Sequence, residues 1–125
     1  MQSLQIDDQR KFKRFQVKKE SSFVMNPGWP AMGELIDIST GGFAFKYIAD
    51  DKWPYGNEHG HVIFGDHDFC LNDLPVNIVA DQVVTRSSQA TNYIVRRRCM
   101  KFGDLSDEQK FLVECFIWIN GVCEC

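Results

Sequence analysis

A chain of 125 residues that is 44% hydrophobic, 13% aromatic and 25% charged is the size of one domain and can bury a core without staples. That composition excludes intrinsic disorder. A net charge of −3 argues against a general binder of nucleic-acid polymers, which relies on neutralising many phosphates.

The charge is unevenly spread. Residues 1–20 hold six basic side chains (Arg10, Lys11, Lys13, Arg14, Lys18, Lys19) against three acidic ones (Asp7, Asp8, Glu20), so this segment is +3 and the remainder −6. A basic arm on an acidic body suits a small anionic ligand better than a polyanion. Residues 1–14 have little apolar content and read as a flexible arm. The N-terminus has no apolar signal region and no stretch reaches membrane-spanning length, so the chain is expected in the cytoplasm, without membrane insertion. Five cysteines at no framework spacing are expected as reduced thiols there.

In chain order, Phe15-Gln16-Val17-Lys18 begins an alternating stretch that predicts a strand. Asn26-Pro27-Gly28-Trp29-Pro30 is a break. Glu34–Ile38 and Phe43–Tyr47 predict two strands around Ser39-Thr40-Gly41-Gly42, a hairpin-type connection whose glycines are expected at positive φ. A polar stretch runs from Ala49 to Gly60. His61–Phe64 and Phe69–Leu71 then flank a turn at Gly65-Asp66-His67-Asp68. Val76, Ile78 and Ala80 alternate with Asn77, Val79 and Asp81, and Asn92–Lys101 makes the last extended run. Short strands at this spacing predict an antiparallel barrel or sandwich.

The period then changes. Ser106-Asp107-Glu108-Gln109 is a capping-box pattern with acids in the first helical turn. Leu112, Cys115, Phe116 and Ile119 recur at helical spacing, and Gly121 is a natural stop. Phe111, Ile117 and Trp118 lie off that stripe and widen the apolar face, as for a helix that covers a barrel opening or also contacts a partner. The expected organisation is an arm over 1–14, a β-barrel with a C-terminal helix over 15–120, and a tail over 121–125.

Two motifs carry chemistry. Arg10-Lys11-Phe12-Lys13-Arg14 is an R-x-x-x-R pair. Guanidinium groups grip phosphate or the O6/N7 edge of guanine with two bonds and stack on bases. In an extended segment the two arginines start about 13 Å apart, near enough for both side chains to converge on one dinucleotide. Asp37-Ile38-Ser39-Thr40-Gly41-Gly42 is a D-x-S-x-x-G turn. Its carboxylate can accept paired N–H bonds from a guanine edge, while its hydroxyl and glycine amides can approach phosphate. Each motif has a plainer reading, as exposed arginines and as a Ser turn that closes a hairpin.

An R-x-x-x-R just before the first strand, followed by D-x-S-x-x-G in the next hairpin, resembles the signature of the PilZ family. Lys101–Gln109 is similar to that family's closing strand running into its C-terminal helix, so the resemblance spans about residues 8 to 120. It implies a mainly β fold, a six-stranded antiparallel PilZ-type β-barrel with a C-terminal α-helix, that binds cyclic di-GMP on its outer surface. Carried over by position, Arg10 and Arg14 would hold guanine edges and phosphates. Asp37 and Ser39 would hydrogen-bond a guanine, and Gly42, with Gly41 a weaker candidate, would let the backbone pass close to the ligand. The family commonly has a glycine about where Cys99 falls, which weakens the case for a contact from that strand. Alternation puts Arg96 and Arg98 on one face and Arg97 on the other, so Arg97 or Arg98 could assist with phosphate, exposed strand arginines being the plainer reading.

His59, His61, Asp66, His67, Asp68 and Cys70 include metal-ligand types without zinc-finger spacing, so no metal is expected. Cys123-Glu124-Cys125 reads as a frayed end. No nucleophile elbow, phosphate-binding glycine loop or catalytic carboxylate pair stands out, so neither enzymatic activity nor a cofactor is expected. The leading expectation is a cyclic di-GMP receptor, monomer or homodimer, that signals to an effector protein. The alternatives are a PilZ-fold interaction module that does not use the nucleotide, and a single-strand binder stacking bases on Trp29, Trp53 and Tyr55.

Overall fold

The computed structural model describes residues 13–17, 22–25, 32–50, 59–66, 69–86 and 93–124. Arg10, the break at 26–30, residues 51–58 with Trp53 and Tyr55, His67 and Cys125 lie outside the described residues. Eight strands and one helix follow in order: β1 (Phe15–Val17), β2 (Phe23–Met25), β3 (Met32–Ile38), β4 (Gly42–Asp50), β5 (His59–Gly65), β6 (Cys70–Arg86), β7 (Tyr93–Phe102), α1 (Asp107–Asn120) and β8 (Gly121–Glu124).

Six strands close a ring. Each neighbour in β2-β5-β6-β7-β4-β3 is hydrogen-bonded to the next, and β3 pairs back with β2. All the pairings are antiparallel. Closure removes the open edges of these six strands, while β1 and β8 continue the sheet from β3. Within β3 the work is divided: Met32–Glu34 pair with β2, while Asp37 and Ile38 pair with Gln16 and Phe15 of β1.

Period-two alternation decides what faces inward. On β4, Phe43, Phe45 and Tyr47 are buried while Lys46 and Ile48 are exposed. On β7, Ile94, Arg98, Met100 and Phe102 are buried while Lys101 is exposed. Phe43 stacks between Phe45 and Phe102, with ring centroids 6.0 and 5.5 Å away. Cys70 and Leu71 of one predicted run and all of Val76–Ala80 belong to a single 17-residue strand, β6. Register shifts at Ile78/Ala80 and Val83/Thr85 bend it, as a strand of this length requires to follow a barrel wall. The polar stretch from Ala49 to Gly60 is strand at both ends, since β4 runs to Asp50 and β5 starts at His59.

Helix α1 starts at the predicted capping box: Ser106 Oγ accepts from the Gln109 amide at 3.0 Å, and Gln109 Oε1 accepts from the Ser106 amide at 2.9 Å. Its buried face differs from the predicted stripe. Val113, Phe116 and Asn120 are buried, with Leu112 and Ile117 packed on the core, whereas Ile119 is exposed. Both sets obey helical spacing. The barrel mouth selects the one that meets Leu71, Leu74 and their neighbours in the same core. Nor is the end of the chain a frayed tail. Gly121–Glu124 forms β8 and pairs antiparallel with β1.

Candidate functional site

The outward face of β3, β4 and β7 is built by register. Asp37 lies opposite Ala44, and Ala44 opposite Cys99, so these three side chains form one row on one face. Arg97 stands two residues before Cys99 on that same face. The small Ala44 side chain leaves a saddle over which Arg97 crosses to β3. Its Nη2 donates to Asp37 Oδ2 at 3.1 Å and its Nη1 approaches Cys99 Sγ at 3.4 Å. Asp37 is a buried carboxylate, its side chain 9% exposed, whereas that of Arg97 is 31% exposed. Arg97 is therefore ion-paired and half-buried, not the exposed strand arginine of the plainer reading.

The bend after Asp37 is held by Ser39. Its Oγ accepts from the amides of Gly41 and Gly42, each at 3.1 Å, and donates to the Gly42 carbonyl at 3.3 Å. The Ser39 amide also donates to that carbonyl at 2.7 Å. Gly41 offers its carbonyl to the Phe102 amide at 2.9 Å and so ties the bend to the end of β7. Among the described residues no glycine has positive φ, which corrects the expected reason for Gly41 and Gly42. Gly42 is small because β7 runs against it: a Cβ there would sit 2.1 Å from the Met100 carbonyl oxygen.

Arg14 immediately precedes β1. Because Gln16 pairs with Asp37 and Phe15 with Ile38, one further antiparallel step brings Arg14 level with Ser39. Arg14 therefore precedes β1 at the same end of the β1–β3 pair at which the bend leaves β3. The face that Asp37 and Arg97 share also presents Lys46, exposed and directly opposite Arg97.

Arg98 does not belong to this face. It points into the barrel, 2% exposed, and this removes it as a surface ligand contact. Its Nε donates to Asp81 Oδ2 at 2.7 Å and its Nη2 to the Tyr47 hydroxyl at 3.0 Å. Arg96 Nε and the Tyr47 hydroxyl also donate to Asp81, so one carboxylate collects three donors. Burial opposes ionisation of Asp81, but bonds from Tyr47, Arg96 and Arg98 outweigh it and hold the carboxyl below its ordinary range. Burial first, then the bond to Asp81, pushes the Tyr47 hydroxyl up to about 12. The sequence carried a signal for this cluster, since Arg96 and Arg98 share parity with Ile94, Met100 and Phe102. That Asp81 meets them depends on the β6–β7 register, Asp81 opposite Arg98, which follows a bulge.

His61 is exposed on β5, and among the described residues no group of three or more His, Cys, Asp or Glu is arranged to hold a metal ion. Cys70, Cys99 and Cys115 are free thiols. No helix among the described residues is long and apolar enough to cross a membrane.

A closed six-stranded antiparallel ring with a helix after its last barrel strand defines a PilZ-type fold, and comparison with solved structures gives the same class. The chain is similar to the PilZ domain with c-di-GMP of YcgR from Escherichia coli, with a TM-score of 0.68 at 11% identity over 90% of this chain and 91% of that one. It is also similar to MrkH, a c-di-GMP-dependent transcription regulatory factor, with a TM-score of 0.67 at 14% identity over 89% of this chain and 50% of that one. The K. pneumonia MrkH–c-di-GMP complex gives 0.67 at 12% identity over 89% and 52%. The chain thus spans about half the length of MrkH. No family model matches the sequence, and no curated protein is significantly similar to it. At these identities the likeness establishes the PilZ fold.

Proposed function

We propose that the protein is a cytoplasmic, non-enzymatic receptor for cyclic di-GMP that relays second-messenger levels to a partner controlling motility, adhesion or exopolysaccharide production. The observation that supports this reading is the β1–β3 register, in which Gln16 lies opposite Asp37 and Phe15, the residue after Arg14, opposite Ile38. Arg10 and Arg14 grip a phosphate and a guanine edge, and Asp37 accepts from a guanine. The structural neighbours support the ligand class, since both YcgR and MrkH are described with c-di-GMP. Arg97 donates to Asp37 Oδ2. A guanine edge that donates to both carboxylate oxygens would share Asp37 with Arg97, whose guanidinium then lies beside a phosphate-bearing ligand.

One observation favours a second reading, a PilZ-fold interaction module that does not use the nucleotide: Asp37 and Ser39 both have intramolecular partners. Isothermal titration decides between them. Cyclic di-GMP should bind saturably, and Arg14→Ala or Asp37→Ala should each weaken binding by about 10- to 100-fold, the worth of one hydrogen bond to a charged group. Unchanged affinity in both variants removes this site, and no binding by the wild-type chain supports the interaction module.

A further inference from the structure

The outer face of α1 is apolar at its centre and acidic at its edges. Phe111 and Trp118 are 62% and 88% exposed, and residues seven apart lie on one line along a helix. Beside this ridge a cavity of about 420 Å³ opens between α1 and the β3–β4 bend, with Phe102, Leu105 and Val113 among its walls and Gly41 at its edge. Glu114 lines the cavity and lies one helical turn before Trp118, so ridge and cavity form one continuous surface. A solvent-facing tryptophan beside a hollow that is walled by Phe102, Leu105 and Val113 and also lined by charged side chains is the anatomy of a docking site.

Charge identifies the occupant. On α1 the exposed acids Asp107, Glu108 and Glu114 lie three or four residues from Phe111 or Trp118, against Lys110, for a charge of 1 − 3 = −2 along the ridge, while Lys101, Lys110 and Glu114 line the cavity. An anionic bilayer is repelled by that rim. A second copy fits poorly, because an antiparallel pair of α1 helices would set Asp107 and Glu108 against a last turn that contains no basic residue, and a parallel pair would stack the two acidic first turns. The complementary object is an apolar stripe edged with lysine or arginine.

We propose that this surface docks a cationic amphipathic helix of a partner protein, which places an apolar side chain in the cavity and lays its stripe across Phe111 and Trp118. This is helix-in-groove recognition with charge setting the choice of partner. It requires no nucleotide.

The test uses the full chain and two synthetic tryptophan-free amphipathic helices with the same leucine face, one with a lysine polar face and one with a glutamate polar face. Titration followed by tryptophan fluorescence and amide chemical shifts should show the lysine peptide binding, with shifts centred on α1 and Gly41. Phe111→Ser/Trp118→Ser should weaken it at least about tenfold, and Glu108→Lys/Glu114→Lys should move the preference toward the glutamate peptide. Both variants change exposed side chains, and circular dichroism checks that they fold. Equal binding by the serine variant, or an unchanged preference after charge reversal, overturns the proposal. So does a dimer in sedimentation that the serine variant abolishes, which would make a second copy the occupant, or flotation of the chain with phosphatidylglycerol vesicles.

Discussion

Arg97→Met tests the pairing on which the outward face is organised. Methionine keeps an apolar stem over the Ala44 saddle and removes only the cation. Asp37 would lose the donor 3.1 Å away in a position where 9% of its side chain is exposed. A hydrogen bond to a charged group contributes about 1.5–3 kcal/mol, whereas an exposed pair contributes about 0–1 kcal/mol. With the Arg97 side chain 31% exposed, the pair lies between those limits, at about 1.5 kcal/mol. For a domain of this size that lowers Tm by roughly 4–9 °C. Urea denaturation of the single variants Arg97→Met and Asp37→Asn, and of the double variant, isolates the coupling, which should be about 1 kcal/mol. Single-variant losses that add to the double-variant loss within about 0.3 kcal/mol would refute the pairing.

The interior cluster gives a larger effect. Asp81→Ala strands Arg96 and Arg98 in the barrel without their shared carboxylate and should cost about 3–5 kcal/mol in urea denaturation, the range for breaking a buried ion pair. The same group sets an acid limit. A carboxyl depressed in the fold contributes stability that is complete above its unfolded value near pH ~4 and is lost as pH falls below it; Asp81→Asn should flatten that part of the stability–pH curve. At the alkaline end, Tyr47 is raised to about 12, so its contribution is complete below about pH 10 and lost as pH rises through its folded value. Tyr47→Phe should remove that alkaline step in a denaturation series. Gly42→Ala places a Cβ 2.1 Å from the Met100 carbonyl oxygen. It should part β4 from β7, cost at least about 2 kcal/mol, and lower amide-exchange protection from Phe43 through Met100.

The sequence by itself determined the strand cores at Phe15–Val17, Glu34–Ile38, Phe43–Tyr47 and His61–Phe64 and the helix start, because these depend on neighbours within a few residues. Alternation at Phe43–Tyr47 specified a strand with one buried face, and Ser106 to Gln109 specified a cap without reference to the barrel. The bend at Ser39–Gly42 was legible as a turn, but the reason for Gly42 was not, since its constraint comes from Met100 on another strand. The same limit applies to α1, where two apolar stripes of equal spacing competed and only the barrel mouth chose Val113, Phe116 and Asn120. Residues 121–124 had no reason to be a strand until β1 offered them an edge. Arg97 and Arg98 show the division most plainly. Parity separated them, but only the closed ring gave one an outward ion pair with Asp37 and the other an inward one with Asp81. Those contacts join residues 60 and 17 positions apart, and they are fixed by strand register, bulges and closure, which no local pattern contains.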